Sequence, residues 1–289
     1  MRFTFLGTGT SAGVPLIACS CPVCTSDDPR DKRLRTSACL EFVDASGQYR
    51  VVLIDCGPDL RQQALRAGLT RCDAVVFTHN HVDHTFGVDE LRRFNAAMHA
   101  AIDVYAESRT MEHLRRVYQH IFDSAFNVNQ SFVATLIPHV IDENTSLELF
   151  GVSFTPIRLL HGRLPVLGFR IESDLPGADE LLPLAYCTDV SAVPPGSWGG
   201  LGGLRTLVLD ALRPRHHPTH LTLDQAVSIA ERVTPERTWF VHMSHDLAHE
   251  ATNASLPEGV RLAHDGLTLG SLDSPPGLRR VPGAALADD

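Results

Sequence analysis

Residues 79–84 read His-Asn-His-Val-Asp-His, four metal-ligand side chains in six positions, directly after the apolar run Ala74, Val75, Val76, Phe77. Neutral imidazoles and carboxylates suit zinc, manganese or iron, and such a density of them has no packing advantage. The apolar run suits a buried strand, so the cluster begins where that strand ends. His79 and His81 are two apart and point the same way from extended chain, while Asp83 and His84 turn back as a helix starts near Thr85. One loop at a strand's carboxyl edge thereby offers ligands to two adjacent ions.

The same placement recurs along the chain. Apolar, β-rich runs at 2–6, 36–42, 49–54, 74–77, 102–105, 147–159, 166–171, 184–187, 206–209 and 238–241 alternate with helical spacing at 58–67, 85–97, 110–122 and 222–233, which predicts an α/β fold. His161 follows the run 154–160, Asp189 follows 184–187 and His242 follows 239–241. An α/β scaffold brings together loop residues at such strand ends.

This ordered set resembles the metallo-β-lactamase fold superfamily of binuclear metallohydrolases, whose motif matches His79-x-His81-x-Asp83-His84. The resemblance implies a four-layer αββα sandwich. It also implies that His79, His81 and His161 hold one divalent ion, that Asp83, His84 and His242 hold the other, and that Asp189 bridges them. Asp55, in Leu53-Ile54-Asp55-Cys56-Gly57, matches the superfamily's Asp-x-Gly motif and is expected to orient the ligand loop by hydrogen bonds.

A second candidate site lies near the N-terminus, where Cys19, Cys21 and Cys24 fall within six residues. Thiolates favour zinc, and a structural zinc closes with four ligands. His245, three residues beyond His242, is the candidate for the fourth. Cys39, Cys56, Cys72 and Cys187 lie in or beside apolar runs and read as small buried side chains.

The stretch Gly7-Thr-Gly-Thr-Ser-Ala-Gly13, the cysteine knuckle and the pair His242-x-x-His245 together resemble the PhnP-type phosphodiesterases, over residues 1–270. That branch hydrolyses cyclic phosphates of ribose and related phosphodiesters. The resemblance implies two divalent ions, zinc or manganese, one structural zinc, and in-line attack on phosphorus by a hydroxide generated at the metals. Asp83 or Asp189 is expected to orient the nucleophile. His220, just before the helical stretch 222–233, matches a catalytic histidine and would act as general acid or phosphate stabiliser. Arg92, Arg93 and Arg163 are weaker phosphate-binding candidates.

Composition bounds the rest. With 289 residues and 44% hydrophobic content, one core over 1–270 is expected, with 97–139 as an insertion shaping the substrate pocket and 271–289 as a polar tail. The aromatics Tyr105, Tyr118, Phe122, Phe126 and Phe132 of that insertion read as core before they read as a stacking platform. A net charge of -9 argues against duplex nucleic acid as partner. No apolar stretch is long enough to span a bilayer, and no leader pattern opens the chain, so a cytoplasmic protein without a membrane partner is expected. Seven cysteines read as thiols or ligands in a reducing compartment. The expected partner is a small phosphodiester or nucleotide-like substrate, and the resemblance leaves a homodimer open. The alternatives are an RNA-processing nuclease of the same superfamily and a noncatalytic metal-binding or cofactor-handling protein. The knuckle disfavours a lactonase or β-lactamase.

Overall fold

The computed structural model describes residues 1–272, so the tail expected at 271–289 lies, from 273 onward, outside the described residues. Three antiparallel strands open the chain, β1 (Arg2–Gly7), β2 (Ser37–Val43) and β3 (Tyr49–Ile54). Parallel units follow: α1 (Leu60–Ala67), β4 (Ala74–Val76), α2 (Val82–Thr85), α3 (Leu91–Met98), β5 (Ile102–Glu107), α4 (Ser108–Val117), α5 (Gln119–Phe122) and β6 (Leu136–Ile141). The second half repeats the plan. Antiparallel β7 (Leu147–Leu149), β8 (Val152–His161) and β9 (Leu164–Glu172) lead to parallel β10 (Leu184–Cys187), β11 (Thr206–Asp210), α6 (Leu223–Val233), β12 (Arg237–Val241), α7 (His249–Ser255) and β13 (Val260–Leu262). Strand β14 (Thr268–Gly270) returns to pair with β1.

Two seven-stranded sheets result, ordered β14-β1-β2-β3-β4-β5-β6 and β13-β12-β11-β10-β9-β8-β7. Their facing sides bury Phe3, Phe5, Leu40, Ile54, Phe154, Phe169 and Tyr186 in one central core. Each outer side carries its own apolar layer. The first sheet packs against Leu60 of α1, Leu91 and Phe94 of α3 and Leu114 of α4, and the second against Ala226 and Ala230 of α6. Helix, sheet, sheet, helix is the expected four-layer αββα order. It follows from strands that are apolar on both faces and helices that are apolar on one.

Local chemistry sets the boundaries. Helix α6 starts with a capping box, in which the Thr222 hydroxyl accepts the Gln225 N–H at 3.2 Å and the Gln225 side chain accepts the Thr222 N–H at 2.9 Å. Helix α1 stops at Gly68, whose φ of 67° is left-handed.

Several stretches differ from the periodicity reading, and the helix expected at 110–122 is split at Tyr118 into α4 and α5. The single strand expected at 147–159 is a hairpin, because Phe150 and Gly151 take φ of 58° and 89° and reverse the chain. The helix expected at 85–97 begins only at Leu91; Gly87 turns the chain first, and a Cβ there would meet the Gly57 carbonyl oxygen at 2.2 Å. Residues 194–203, expected as a loop, contain a 3-10 helix, Pro195–Leu201. Of residues 97–139, β5 and most of β6 are strands of the first sheet, and the excursion lies between them. Tyr118 is buried there, Tyr105 and Phe122 pack against core, and Phe126 and Phe132 are exposed. No helix among the described residues is long and apolar enough to cross a membrane.

Candidate metal centre

The parallel strands of both sheets deliver their carboxyl ends to one edge of the sandwich. Asp55 follows β3, His79 follows β4, Asp189 follows β10, Asp210 ends β11 and His242 follows β12, while His161 closes β8. Asp55, Asp189 and His242 hold left-handed φ angles of 60°, 56° and 60°. Non-glycine residues pay about 1–2 kcal/mol for that conformation, Asp and His less than most. The sharp turn it makes ends each strand with a polar side chain at the edge.

Two ligand sets assemble there, and His220 forms a third, overlapping set with Asp189 and His242. One ligand atom from each of His79, His81, His161 and Asp189 lies within 4.8 Å of the others, and the same holds for Asp83, His84 and His242. Asp189 reaches both sets: its Oδ1 is 3.9 Å from Nε2 of His79, 3.9 Å from Nε2 of His161 and 3.3 Å from Nε2 of His242, and its Oδ2 is 3.1 Å from Nε2 of His84. Asp83 Oδ2 lies 3.3 Å from Nε2 of His84 and 3.6 Å from Nε2 of His242. His81 is the exposed member and opens the cluster to solvent.

The donors fit divalent ions. Nε2 of His79, His84 and His242 is buried without a hydrogen-bond partner, an arrangement that costs free energy unless a cation answers it. Burial alone would raise the Asp189 carboxyl, yet the imidazoles of His242, His84 and His79 overcome it and hold the group well below the usual carboxylate range. Burial likewise pushes His79 far below its ordinary value, which favours the neutral, metal-ready ring. At His84, burial is outweighed by Asp189, Asp83 and Asp55, and the ring holds its proton well above the ordinary range. A site that draws a proton this strongly draws a metal cation by the same charges.

The ligand rings are oriented from behind. Asp55 Oδ2 is 2.7 Å from Nδ1 of His84 and accepts the Thr78 hydroxyl at 2.8 Å, and Thr78 Oγ1 is 2.9 Å from Nδ1 of His79. His161 Nδ1 donates to the Thr219 carbonyl at 2.7 Å. Each contact turns an Nε2 toward the cluster.

His220 is buried beside these groups, its ring 4.5 Å from that of His161 and stacked at 4.6 Å on that of His242. Sequence reasoning missed its neighbour Asp210, although that residue ends the apolar run 206–209 just as Asp189 and His242 follow theirs. The arginines fare differently. Arg92 pairs with Asp89 at 3.1 Å on an exposed surface, and Arg93 lines a hollow with Leu60, Arg61 and Ala64 of α1. Arg163 is exposed at the tip of the β8–β9 hairpin, two residues past His161.

The N-terminal knuckle closes on the same turn. The sulfurs of Cys19, Cys21 and Cys24 lie 3.3, 3.3 and 3.5 Å from Nδ1 of His245. A tetrahedral zinc with bonds of about 2.3 Å to sulfur and about 2.0 Å to nitrogen has S···N edges of roughly 3.5 Å. The Cys24 N–H donated to Cys21 draws that thiol down to about 6, toward the ligating thiolate. Cys39, Cys56, Cys72 and Cys187 are fully buried and belong to neither ligand set.

Fold and ligand cluster together define a metal-dependent hydrolase of the metallo-β-lactamase fold. Residues 50–243 match the family model of the β-lactamase superfamily domain. A crystal structure of a diphosphatase from the PhnP family is 42% identical, with a TM-score of 0.82 over 94% of this chain and 98% of that one. The chain therefore belongs to the PhnP-like branch of the β-lactamase superfamily. Zinc-bound PqqB from Methylobacterium extorquens shares the fold at 21% identity and TM-score 0.70, over 95% of this chain and 100% of that one. A Porphyromonas gingivalis protein named octanoyltransferase is 34% identical over 271 residues, 92% of this chain, but the chain spans only 51% of its length.

Proposed function

We propose that the chain is a binuclear metal-dependent phosphodiesterase acting on a small cyclic phosphate or nucleotide-like phosphodiester. The observation that carries this reading is Asp189, whose two oxygens face ligands of both sets. His79, His81 and His161 would hold one ion and Asp83, His84 and His242 the other. Cys19, Cys21, Cys24 and His245 would hold a structural zinc. When bound, the active-site ions, zinc or manganese, would activate water and draw charge from the phosphoryl oxygens.

The chain's own residues do the rest. Asp55 and Thr78 hold the rings of His84 and His79 in place. Asp83 and Asp189 stay ionised and accept hydrogen bonds from an attacking water. His220 stacks on His242 and would donate a proton to the departing oxygen. The 42% identity to a PhnP-family diphosphatase extends the candidate substrates to diphosphate-linked nucleotides, whose phosphorus is likewise tetrahedral and doubly substituted, through one ester and one anhydride oxygen.

An RNA-processing role is disfavoured by the net charge of -9, because a long polyanion needs a basic track. A cofactor-handling role would leave the paired donor sets and His220 without a task. The substrate is expected to meet the protein in the cytoplasm, and a homodimer belongs to the reading. Turnover of bis-p-nitrophenyl phosphate, uridine 2′,3′-cyclic phosphate, cyclic nucleotides and dinucleoside diphosphates by metal-loaded protein tests it, with elemental analysis and structured RNA in parallel. Activity on at least one small ester, at two active-site metals per chain, is expected. Inactivity across the panel sinks the proposal, and preferred cleavage of RNA with steep salt dependence replaces it with the nuclease reading.

A further inference from the structure

Helix α2 carries two kinds of side chain. Asp83 and His84 are buried in the ligand set, whereas Val82 and Phe86, four residues apart and so on one side of the helix, are 52% and 46% exposed. Val82 directly follows His81, the ligand that is open to solvent, and Phe86 lies about 5.4 Å further along, one helical turn. An apolar side of the helix therefore starts at the mouth of the metal cluster and ends on an aromatic ring.

That ring is held in place from two directions. The Phe86 N–H donates to the Val82 carbonyl at 3.0 Å, the Tyr118 ring crosses the Phe86 ring at 77° with centroids 6.4 Å apart, and the His113 ring lies 6.5 Å away at only 20°. Tyr118 is buried, and its hydroxyl donates to the Thr85 carbonyl at 3.0 Å, which ties the junction of α4 and α5 to the helix that presents Asp83 and His84. His113 adds a neutral imidazole. Burial, Arg116 and His81 together hold its ring below the ordinary value, so it is also within electrostatic reach of the open ligand. A ring braced by two others yet nearly half exposed is a preorganised surface, because its orientation is set before any ligand arrives.

A phosphodiester held by the two ligand sets has its phosphorus at Asp189, and its organic group leaves the cluster on the open side, past His81. What it meets along α2 is apolar and aromatic, with no charged side chain at Val82 or Phe86. In a nucleoside one sugar separates phosphorus from base, a spacing comparable to one helical turn. We propose that Phe86, braced by His113 and Tyr118 and continued by Val82, is the stacking surface for the base of the ester, which makes the substrate a nucleoside phosphodiester rather than a base-free sugar phosphate. This inference rests on the phosphodiesterase reading and narrows it. Every base has a π-face, so the surface selects for the presence of a base and not for its identity.

The test compares metal-loaded full chain with Phe86→Ala, Phe86→Leu and Phe86→Trp on uridine and adenosine 2′,3′-cyclic phosphates and on glycerol 1,2-cyclic phosphate, which has no base. The quantity read is the ratio of kcat/KM on a nucleoside ester to that on the glycerol ester. Phe86→Ala should lower it about 5- to 100-fold, the range for removing a ring on which a base stacks, and mainly through KM. The uridine and adenosine esters should move together. Phe86→Leu keeps apolar area without a π-face and should lower the ratio as well, whereas Phe86→Trp should hold it within about threefold. Binding is read without turnover: adenosine 5′-monophosphate should quench the indole placed at position 86 beyond any change in wild-type protein, whose own indoles are Trp198 and Trp239. A ratio that stays constant in Phe86→Ala, or a Phe86→Leu protein indistinguishable from wild type, overturns the inference. So does sedimentation showing a wild-type dimer that Phe86→Ala loses at constant ratio, since a second copy then covers this face. Failure of the phosphodiesterase reading looks different: wild-type protein cleaves none of the three esters, while quenching at position 86 still decides whether a nucleotide binds there.

Discussion

Asp55 and His84 meet at 2.7 Å with neither side chain exposed to solvent, one carboxylate oxygen against Nδ1 of a ring whose Nε2 faces Asp83 and Asp189. This pair ties the end of β3 to the ligand turn after β4. Asp55 also accepts the Thr78 N–H at 2.8 Å, so a single carboxylate fixes both the backbone and the ring of the ligand loop. Asp55→Asn keeps the shape but removes the charge and leaves an amide N–H facing one of these donors. The variant is expected to fold and to lose about 10–100-fold in metal affinity. Competition titration against a chelator of known affinity measures this, and unchanged affinity would show that Asp55 does not tune the ligands.

The cysteine knuckle gives a second expectation. Residues 8–36 contain no strand, and their own apolar cluster buries only Val14, Val23 and Cys24. So small a cluster gives the cysteine-bearing stretch little apolar packing of its own, and a bound metal would supply part of its closure. Cys24→Ser should lose one zinc per chain and open the segment to limited proteolysis. The melting temperature should fall by roughly 5 °C or more, at about 2–4 °C per kcal/mol for a domain of this size. Because His242 and His245 share one turn, activity should fall as well. A variant with full zinc content and the wild-type cleavage pattern would contradict the ligand set.

The candidate ligands were legible in the sequence because they cluster where apolar runs stop, and the stops survive any error in helix boundaries. Asp210 carried the same signal but has no motif partner, so nothing raised it above an ordinary strand end. The hairpin at Phe150 and Gly151 was hidden because apolar residues continue through it; Gly151 was the available clue. Strand β6 escaped because Pro138 interrupts it and all of its residues but Ile141 are partly buried or exposed, which blurs the alternation. Strands β13 and β14, three residues each, are too short to show a period. What sequence cannot carry is the second contact of each ligand ring, since Thr219 and Asp55 reach their histidines only through the fold.

Acid stability should depend on His249. Its ring is buried, its Nδ1 has no partner, and burial, helped by Arg30 and His264, pushes it down to about 4. The folded state thus binds the proton less readily than the unfolded chain, whose histidine titrates near 6.5. This contribution to stability is complete above about pH 6.5 and is lost as pH falls from there toward 4, by at most about 3 kcal/mol. His249→Asn should flatten that part of the urea-denaturation profile while changing stability less at pH 8. A wild-type and a variant curve that stay parallel between pH 6.5 and 4.5 would remove His249 from the acid transition.

Gly57 is the residue on which the Asp55 turn closes against the turn that bears Asp83 and His84. The Cys56 N–H donates to the His84 carbonyl at 2.9 Å and the Gly87 N–H to the Cys56 carbonyl at 2.8 Å, pressing the chain after β3 against α2. A Cβ on Gly57 would sit 1.9 Å from the Asp83 carbonyl oxygen, and backbone cannot yield as the end of a flexible side chain can. Gly57→Ala must therefore move the helix that presents Asp83 and His84, at a cost of about 1–3 kcal/mol for overpacking. Metal affinity should fall with it, because ligand geometry is displaced before the fold is lost. Gly196→Ala serves as the control: a Cβ there meets nothing within 4 Å, and stability should change by no more than about 0.5 kcal/mol. Chelator competition and thermal melts on both variants decide the matter. A Gly57→Ala protein with unchanged metal affinity would mean that the turn after β3 does not set the position of Asp83 and His84.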